Sequence, residues 1–244
     1  MIDVKLTIEG NKPLTKDVYK MTLYGDCSDI KAPGQFVNIK IDGLYLRRPI
    51  SVCDMNWNEL TLIYKVVGKG TLAMSKMVKG MEIQVLTGLG NGYDMADAGD
   101  KPLLIGGGVG VPPLYNLARL LIEKGVKPTV ILGFNKKEEI FYKKEFEKLG
   151  CEVRVTTVDG SEGVKGFVTD AFPEDYTYTY CCGPEPMLKA VYKTSKTSGQ
   201  YSFEERMGCG FGACMGCSCK TITGYKRICK DGPVLRKEEI LWED

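Results

Sequence analysis

Leu103-Leu104-Ile105-Gly106-Gly107-Gly108-Val109-Gly110 is the stretch from which the rest of the chain can be read. An apolar run of the buried-strand type enters a glycine turn. Residues 113–124 then carry apolar side chains at helical spacing and open near prolines, as helices do. Downstream, 129–133, 152–157 and 176–182 read as further strands and 138–149 as a helix. Strand and helix in alternation predict a parallel α/β sheet with helices on both faces. Upstream the rhythm differs: short β-branched or aromatic runs at 4–9, 18–24, 35–41, 61–67 and 82–86 are punctuated by Pro33-Gly34, Asp42-Gly43 and Gly90-Asn91-Gly92. That pattern predicts a small antiparallel β-barrel, with one helix at 71–78. Residues 195–200 read as a polar link, and 207–219 are too rich in Gly and Cys for an ordinary helix or strand. The expected organisation is a barrel (1–98), an α/β domain (99–200) and a cysteine module (201–244).

Composition narrows the chemistry. The 244 residues hold 33 Lys+Arg against 31 Asp+Glu, 10 Cys and no His. A net charge of +2 removes the electrostatic case for a nucleic-acid binder. Without an imidazole there is no histidine-based triad, HExxH zinc protease, His-ligated haem or Rieske centre. The amino terminus lacks the basic start and apolar run of a signal peptide, and no apolar stretch reaches the ~18 residues of a membrane span. A reducing cytoplasm is therefore expected, where clustered cysteines bind metal or do redox chemistry rather than form disulfides.

Six cysteines are scattered, at Cys27, Cys53, Cys151, Cys181, Cys182 and Cys219, and read mostly as small buried hydrophobes. Cys209, Cys214 and Cys217 are spaced C-x4-C-x2-C, and eleven residues separate Cys217 from Cys229. The first part is the plant-type spacing for a [2Fe-2S] cluster whose fourth thiolate comes from further along the chain. Interleaved glycines let such a loop turn tightly and aim its amides at sulfur. A structural zinc site usually pairs two C-x2–4-C knuckles, and only one C-x2-C lies within this set. Zinc and an inert loop remain the alternatives at this point.

Two further regions suggest nucleotide cofactors. Arg48 and Ser51, within Leu46-Arg47-Arg48-Pro49-Ile50-Ser51, read as a strand end with a guanidinium and a hydroxyl three residues apart. Such a pair can meet a pyrophosphate and a flavin edge, although a basic turn on a solvated strand end would look the same. Ile63-Tyr64-Lys65 continues into Gly68, Gly70 and Thr71, where a strand runs into a helix start that suits phosphate. In the α/β domain, Gly106, Gly108 and Gly110 form G-x-G-x-G-x-x-P ending at Pro113. The strict G-x-G-x-x-G fingerprint fails at Val111. Cys182-Gly183-Pro184 stands between a strand and a helix. Lys136 and Lys137 follow the second strand of this domain, where a basic group can accept a 2′-phosphate.

Together, Arg48-Pro49-Ile50-Ser51, Gly70-Thr71 and Leu89-Gly90-Asn91-Gly92-Tyr93 resemble the FAD domain of the ferredoxin reductase superfamily. The glycine loop at 106–113 resembles the NAD(P) loop of the same enzymes. Over essentially all 244 residues the chain is similar to the electron-transfer subunits of type 1B, NAD-linked dihydroorotate dehydrogenase. The segments 157–161, 165–170, 208–217 and 225–234 carry the narrower likeness.

The resemblance implies FAD held by Arg48, Pro49, Ile50, Ser51, Ile63, Tyr64, Lys65, Gly70 and Thr71. It implies a [2Fe-2S] cluster on Cys209, Cys214, Cys217 and Cys229. NAD as co-substrate would lie on Gly106, Gly108 and Gly110, with Cys182, Gly183 and Pro184 where nicotinamide meets flavin. No side chain is expected to act as catalytic acid or base, because the cofactors carry the hydride and electron chemistry. The implied partner is an FMN-containing dihydroorotate dehydrogenase catalytic subunit, in a heterotetramer of two plus two for pyrimidine synthesis, with no nucleic acid and no membrane. The alternative is a reductase subunit of a hydrogenase, sulfite reductase or transhydrogenase. Bifurcating relatives can place Asp as the first cluster ligand, where this chain has Cys209.

Overall fold

The structure, a computed structural model, describes residues 1–242; the last two residues of the expected cysteine module lie outside the described residues. Six strands close an antiparallel barrel in the order β1-β2-β5-β4-β3-β6. They are β1 (Ile2–Pro13), β2 (Val18–Tyr24), β3 (Phe36–Ile39), β4 (Arg48–Met55), β5 (Glu59–Lys65) and β6 (Glu82–Leu89). Helix α1 (Lys69–Ser75) links β5 to β6. Leu6, Ile8, Met21, Leu23, Val37, Ile39, Leu60 and Leu62 fill the interior. Each such side chain contributes on the order of 1.5–3 kcal/mol when fully buried.

The second sheet holds β7 (Pro102–Gly107), β8 (Thr129–Phe134), β9 (Glu152–Thr157), β10 (Val164–Lys165), β11 (Tyr178–Cys182) and β12 (Gly199–Ser202). These six run parallel in the order β10-β9-β8-β7-β11-β12. Helices α2 (Pro113–Glu123), α3 (Lys143–Leu149) and α4 (Glu185–Thr194) cover it. α2 and α3 share one apolar core with barrel residues Cys53 and Ile63, while Leu188 and Val191 of α4 belong to the core of the opposite face. Beyond it, β13 (Ser218–Thr221) and β14 (Gly224–Arg227) form a hairpin, and β15 (Val234–Arg236) returns to pair antiparallel with β12. The barrel, the parallel α/β domain and the cysteine-bearing terminus match the expected fold class. Among the described residues no helix is long and apolar enough to cross a membrane.

Four local expectations are corrected. Arg48 begins a strand rather than ending one, and β4 runs on to Met55. A register shift between Val52 and Asp54 buries Val52 and Cys53 side by side, and this hides the period-2 signal. The helix expected over 138–149 is a 3₁₀ turn (Lys137–Glu139), a break, and then α3. The break puts Tyr142 at φ 65° so that Phe141 and Tyr142 can pack into the core shared with the barrel; packing has overridden propensity. The helix expected at 71–78 starts earlier, at Lys69, because Gly68 supplies the extended residue before it. The polar link expected at 195–200 contains the start of β12, a strand buried along its length. Its polar character is internally paired: Gln200 Nε2 donates to the Asp94 carbonyl (2.8 Å), and Gln200 Oε1 accepts from the Asp94 amide (2.9 Å).

Candidate electron-transfer site

The chain leaves β7 toward β8 and β9 on one side and later returns to place β11 on the other. Ligands of open α/β sheets bind at such a reversal, outside the carboxyl ends of the strands. Register pairs Gly106 with Cys182 across these two strands, so the two glycine-bearing loops meet at that point. A Cβ on Gly110 would run into the Cys182 carbonyl, and one on either Gly107 or Gly183 would run into Met187. Glycine here permits close approach of backbone to backbone. Gly108 (φ 52°) has open space where a side chain would stand. Gly106, Gly108, Gly110, Cys182, Gly183 and Pro184 are thus brought together, as the motifs lead one to expect. Burial pushes the Cys182 thiol up to about 12, against the lowering effect of a hydrogen bond with Ser202, so this sulfur is a neutral packing group.

On the barrel, Arg47 and Arg48 divide their tasks. Arg47 makes a two-pronged contact with Asp3 (3.0 and 2.7 Å). Arg48 lies along α1, where a Cβ on Gly70 would meet its guanidinium, and it donates to the Leu46 carbonyl. Thr71 Oγ1 accepts from the amides of Val67 (3.0 Å) and Gly68 (3.3 Å) and so shapes the turn entering the helix. Pro49, Ile50 and Ser51 follow along β4, each half-buried, opposite Asn38, Val37 and Phe36. In β5 the expected site residues point different ways. Ile63 is buried in the core shared with α2, Lys65 pairs with Asp17 (3.2 Å), and Tyr64 faces the barrel interior. The Tyr64 hydroxyl donates to Asn11 Oδ1 (2.9 Å), and Asn11 Nδ2 donates to the carbonyls of Met74 (2.8 Å) and Met77 (2.9 Å). Through these bonds Tyr64 positions α1.

The cysteine loop turns at Gly210 (φ 77°), Gly212 (φ 92°) and Met215 (φ 59°). The amides of Ala213 (3.2 Å) and Cys214 (3.4 Å) donate to Cys209 Sγ, and the Cys229 amide donates to Cys217 Sγ (3.4 Å). Among the described residues no three His, Cys, Asp or Glu side chains converge as a single ion would require. The amide-to-sulfur bonds instead join the cysteines two by two, Cys214 to Cys209 and Cys229 to Cys217. Burial raises the Cys209 thiol, but the amides of Phe211, Cys214 and Ala213 outweigh it and bring the group down to about 6. The Cys229 thiol, more deeply buried and beside Cys217, is pushed up to about 12. Cys219 hydrogen-bonds the Lys220 carbonyl and packs against the apolar core behind the loop.

Three residues join the parts, of which Asn38 and Arg119 lie outside the sequence motifs and Asn91 stands within one. Asn38 of β3 is buried opposite Pro49, and its Nδ2 donates to the Cys209 carbonyl (3.3 Å) while Oδ1 has no partner among the described residues. Its signal was a lone amide inside the apolar run Phe36–Ile39. Asn91, from the Leu89–Tyr93 stretch, brackets Val234, donating to its carbonyl (2.7 Å) and accepting from its amide (3.1 Å). Arg119 of α2 reaches back to Asp54 of β4 (3.0 Å).

A closed flavin-type barrel, a switch-point crevice and a paired-cysteine loop define a ferredoxin-reductase-like oxidoreductase with an added iron–sulfur domain. Comparison with known proteins agrees. Residues 104–193 match the oxidoreductase NAD-binding domain, and residues 204–241 match the iron-sulfur cluster binding domain of dihydroorotate dehydrogenase B. Curated relatives named dihydroorotate dehydrogenase B (NAD(+)), electron transfer subunit, are 46% identical in Geobacillus sp. and 45% identical in Fusobacterium nucleatum. The first alignment covers 97% of this chain and 98% of the relative, the second 96% of each. A solved NADH-dependent reduced ferredoxin-NADP oxidoreductase superposes with a TM-score of 0.88 at 32% identity, over 97% of this chain and 90% of that one. The chain belongs to the family of dihydroorotate dehydrogenase B electron transfer subunits.

Proposed function

We propose that this protein carries electrons from dihydroorotate oxidation, performed by a catalytic partner subunit, to NAD⁺ in pyrimidine synthesis. One observation carries the reading: Pro49 of the flavin motif, Asn38 opposite it and the Cys209 carbonyl of the cluster loop stand in direct succession. The flavin motif is therefore one cross-strand pair from the cluster loop, while α2 packs β4 against the nicotinamide-side domain. When bound, FAD exchanges a hydride with nicotinamide and single electrons with a [2Fe-2S] cluster, which in turn faces the partner.

The chain's residues bind and orient. Arg48, with Gly70 and Thr71, holds the flavin pyrophosphate; Pro49, Ile50 and Ser51 line the ring system, and Ile63, Tyr64 and Lys65 supply backbone and support. Gly106, Gly108 and Gly110 hold the NAD pyrophosphate, and Cys182, Gly183 and Pro184 bound the nicotinamide pocket. Cys209, Cys214, Cys217 and Cys229 are the cluster ligands. Hydride transfer needs stacking and orientation rather than a protein acid or base, which is how the chain manages without histidine. The working division is 1–98 for FAD, 99–200 for NAD and 201–244 for the cluster, with β15 lending the last segment's edge to the NAD sheet. The partner is an FMN-bearing catalytic subunit in a cytoplasmic two-plus-two heterotetramer. Exposed Phe211 and Met215 mark the docking face.

The isolated chain should oxidise NADH with an artificial acceptor and leave dihydroorotate untouched. Adding the catalytic subunit should couple dihydroorotate oxidation to NAD⁺ reduction. Dihydroorotate oxidation by this chain alone would overturn the assignment.

A further inference from the structure

In a doubly wound sheet, a dinucleotide whose pyrophosphate lies at the end of the first strand places its adenosine ribose over the end of the next. Here the first strand is β7 and the next is β8, which ends at Phe134. Asn135 follows, and it offers two donor groups at this spot, its backbone amide and its side-chain Nδ2. Lys136 and Lys137 come directly after, both exposed. Two amide donors flanked by two ammonium groups are the makings of a phosphate site. A ribose 2′-phosphate would fit that chemistry, and so would NADP.

Both groups already bond one carboxylate. Glu139 Oε2 accepts from the Asn135 amide (3.3 Å) and from Asn135 Nδ2 (3.0 Å). The 3₁₀ turn Lys137–Glu139 folds the carboxylate back onto the strand end. The turn is itself fastened to the next loop, because the Lys137 amide donates to Ser161 Oγ (2.8 Å) and the Asp159 amide donates to the Asn135 carbonyl (3.1 Å). Asp159 is occupied within that loop, where its Oδ1 accepts from Ser161 Oγ (2.6 Å) and the Ser161 amide (2.9 Å).

We propose that Glu139 is a built-in occupant of the 2′-phosphate position and is the residue that sets this chain's preference for NAD over NADP. The inference rests on the nucleotide reading above and deepens it. A carboxylate at this point fills the donors a phosphate needs, repels its charge, and offers an acceptor to a free ribose hydroxyl. Without it, Asn135, Lys136 and Lys137 form an anion site, and the lysine pair after β8 no longer argues against NAD.

The test uses the full chain with its flavin and cluster, and two fragments as probes: adenosine 2′,5′-bisphosphate and AMP, titrated by calorimetry. Flavin and cluster absorption and the unfolding midpoint verify that each variant is folded. E139A should raise the affinity for the bisphosphate relative to AMP at least tenfold, and E139Q, which keeps an amide hydrogen-bonding partner but drops the charge, should move the ratio the same way. Adding K136A and K137A to E139A should take back most of the gain. A ratio within threefold of wild type in both single variants would overturn the proposal. Wild-type protein that binds neither AMP nor NADH would instead remove the nucleotide reading and the inference with it, and the two failures are told apart by the wild-type titration alone.

Discussion

Asn38 offers a perturbation whose two consequences separate. It is 2% exposed, donates one 3.3 Å bond to the Cys209 carbonyl and leaves Oδ1 without a partner among the described residues. A hydrogen bond of this kind is worth about 0.5–1.5 kcal/mol net, and an unpaired buried oxygen costs about 1–3 kcal/mol. Leucine occupies nearly the same shape. In N38L the lost bond and the relieved oxygen offset one another, and the carbonyl of the half-buried Cys209 is expected to turn to water. Global stability should therefore move by less than about 1.5 kcal/mol in urea unfolding, read with the flavin and cluster in place. The cluster should not be so indifferent. Gly210, held at φ 77°, has no Cβ because one there would strike the Asn38 amide, so Asn38 is the floor of the loop as well as its tether. Removing the tether should change the electron paramagnetic resonance line shape of the reduced cluster and speed iron loss to a chelator. A loss of stability above about 3 kcal/mol would assign Asn38 to core packing. A resonance spectrum superimposable on wild type would refute its role at the cluster.

Other expectations follow from single contacts. G110A drives a methyl into the Cys182 carbonyl and should raise the KM for NADH about tenfold or more with FAD retained, since overpacking costs ~1–3 kcal/mol; FAD content and steady-state dye reduction check this together. R48A removes a guanidinium's charge-assisted bonds, worth about 1.5–3 kcal/mol, so flavin affinity measured by apoprotein titration should fall roughly ten- to a hundredfold. Hydrogen bonding from Arg47 holds the Asp3 carboxyl below its ordinary 3.8, so whatever stability it adds is complete above that value and lost as pH falls through the lowered one. Acid unfolding of wild type and D3N should therefore converge only once the pH has fallen through that lowered value, and above it the gap should stay under about 1 kcal/mol because solvent screens the partly exposed pair.

How much could be read in advance depended on whether a residue's chemistry was local. The glycines of the β7 loop answer a local requirement, close backbone approach, and the two loops that carry Gly106 and Cys182 meet as the motif spacing leads one to expect; the C-x4-C-x2-C spacing is likewise a local pattern that the sequence displays directly. Strands with regular alternation, such as Val18–Tyr24, were legible for the same reason. What stayed hidden was set by distant partners. β12 looked like a polar link because Gln200 finds its hydrogen bonds on Asp94, 106 residues away. The break before α3 exists to place two aromatic rings against the barrel, which helical periodicity cannot announce. Tyr64, in a flavin-motif segment, turned its side chain inward to serve Asn11. Asn38 and Asn91, which join the modules, looked like an isolated amide and a turn residue.

Anaerobic titration of the isolated flavin- and cluster-bearing chain, followed together by visible absorption and electron paramagnetic resonance, tests the proposed electron path most directly. NADH should bleach the flavin and bring up the reduced-cluster signal, whereas dihydroorotate should do neither until the catalytic subunit is added, and should then do both. Reduction by dihydroorotate alone, or a flavin fully reduced by NADH beside a cluster that never takes an electron, would contradict it.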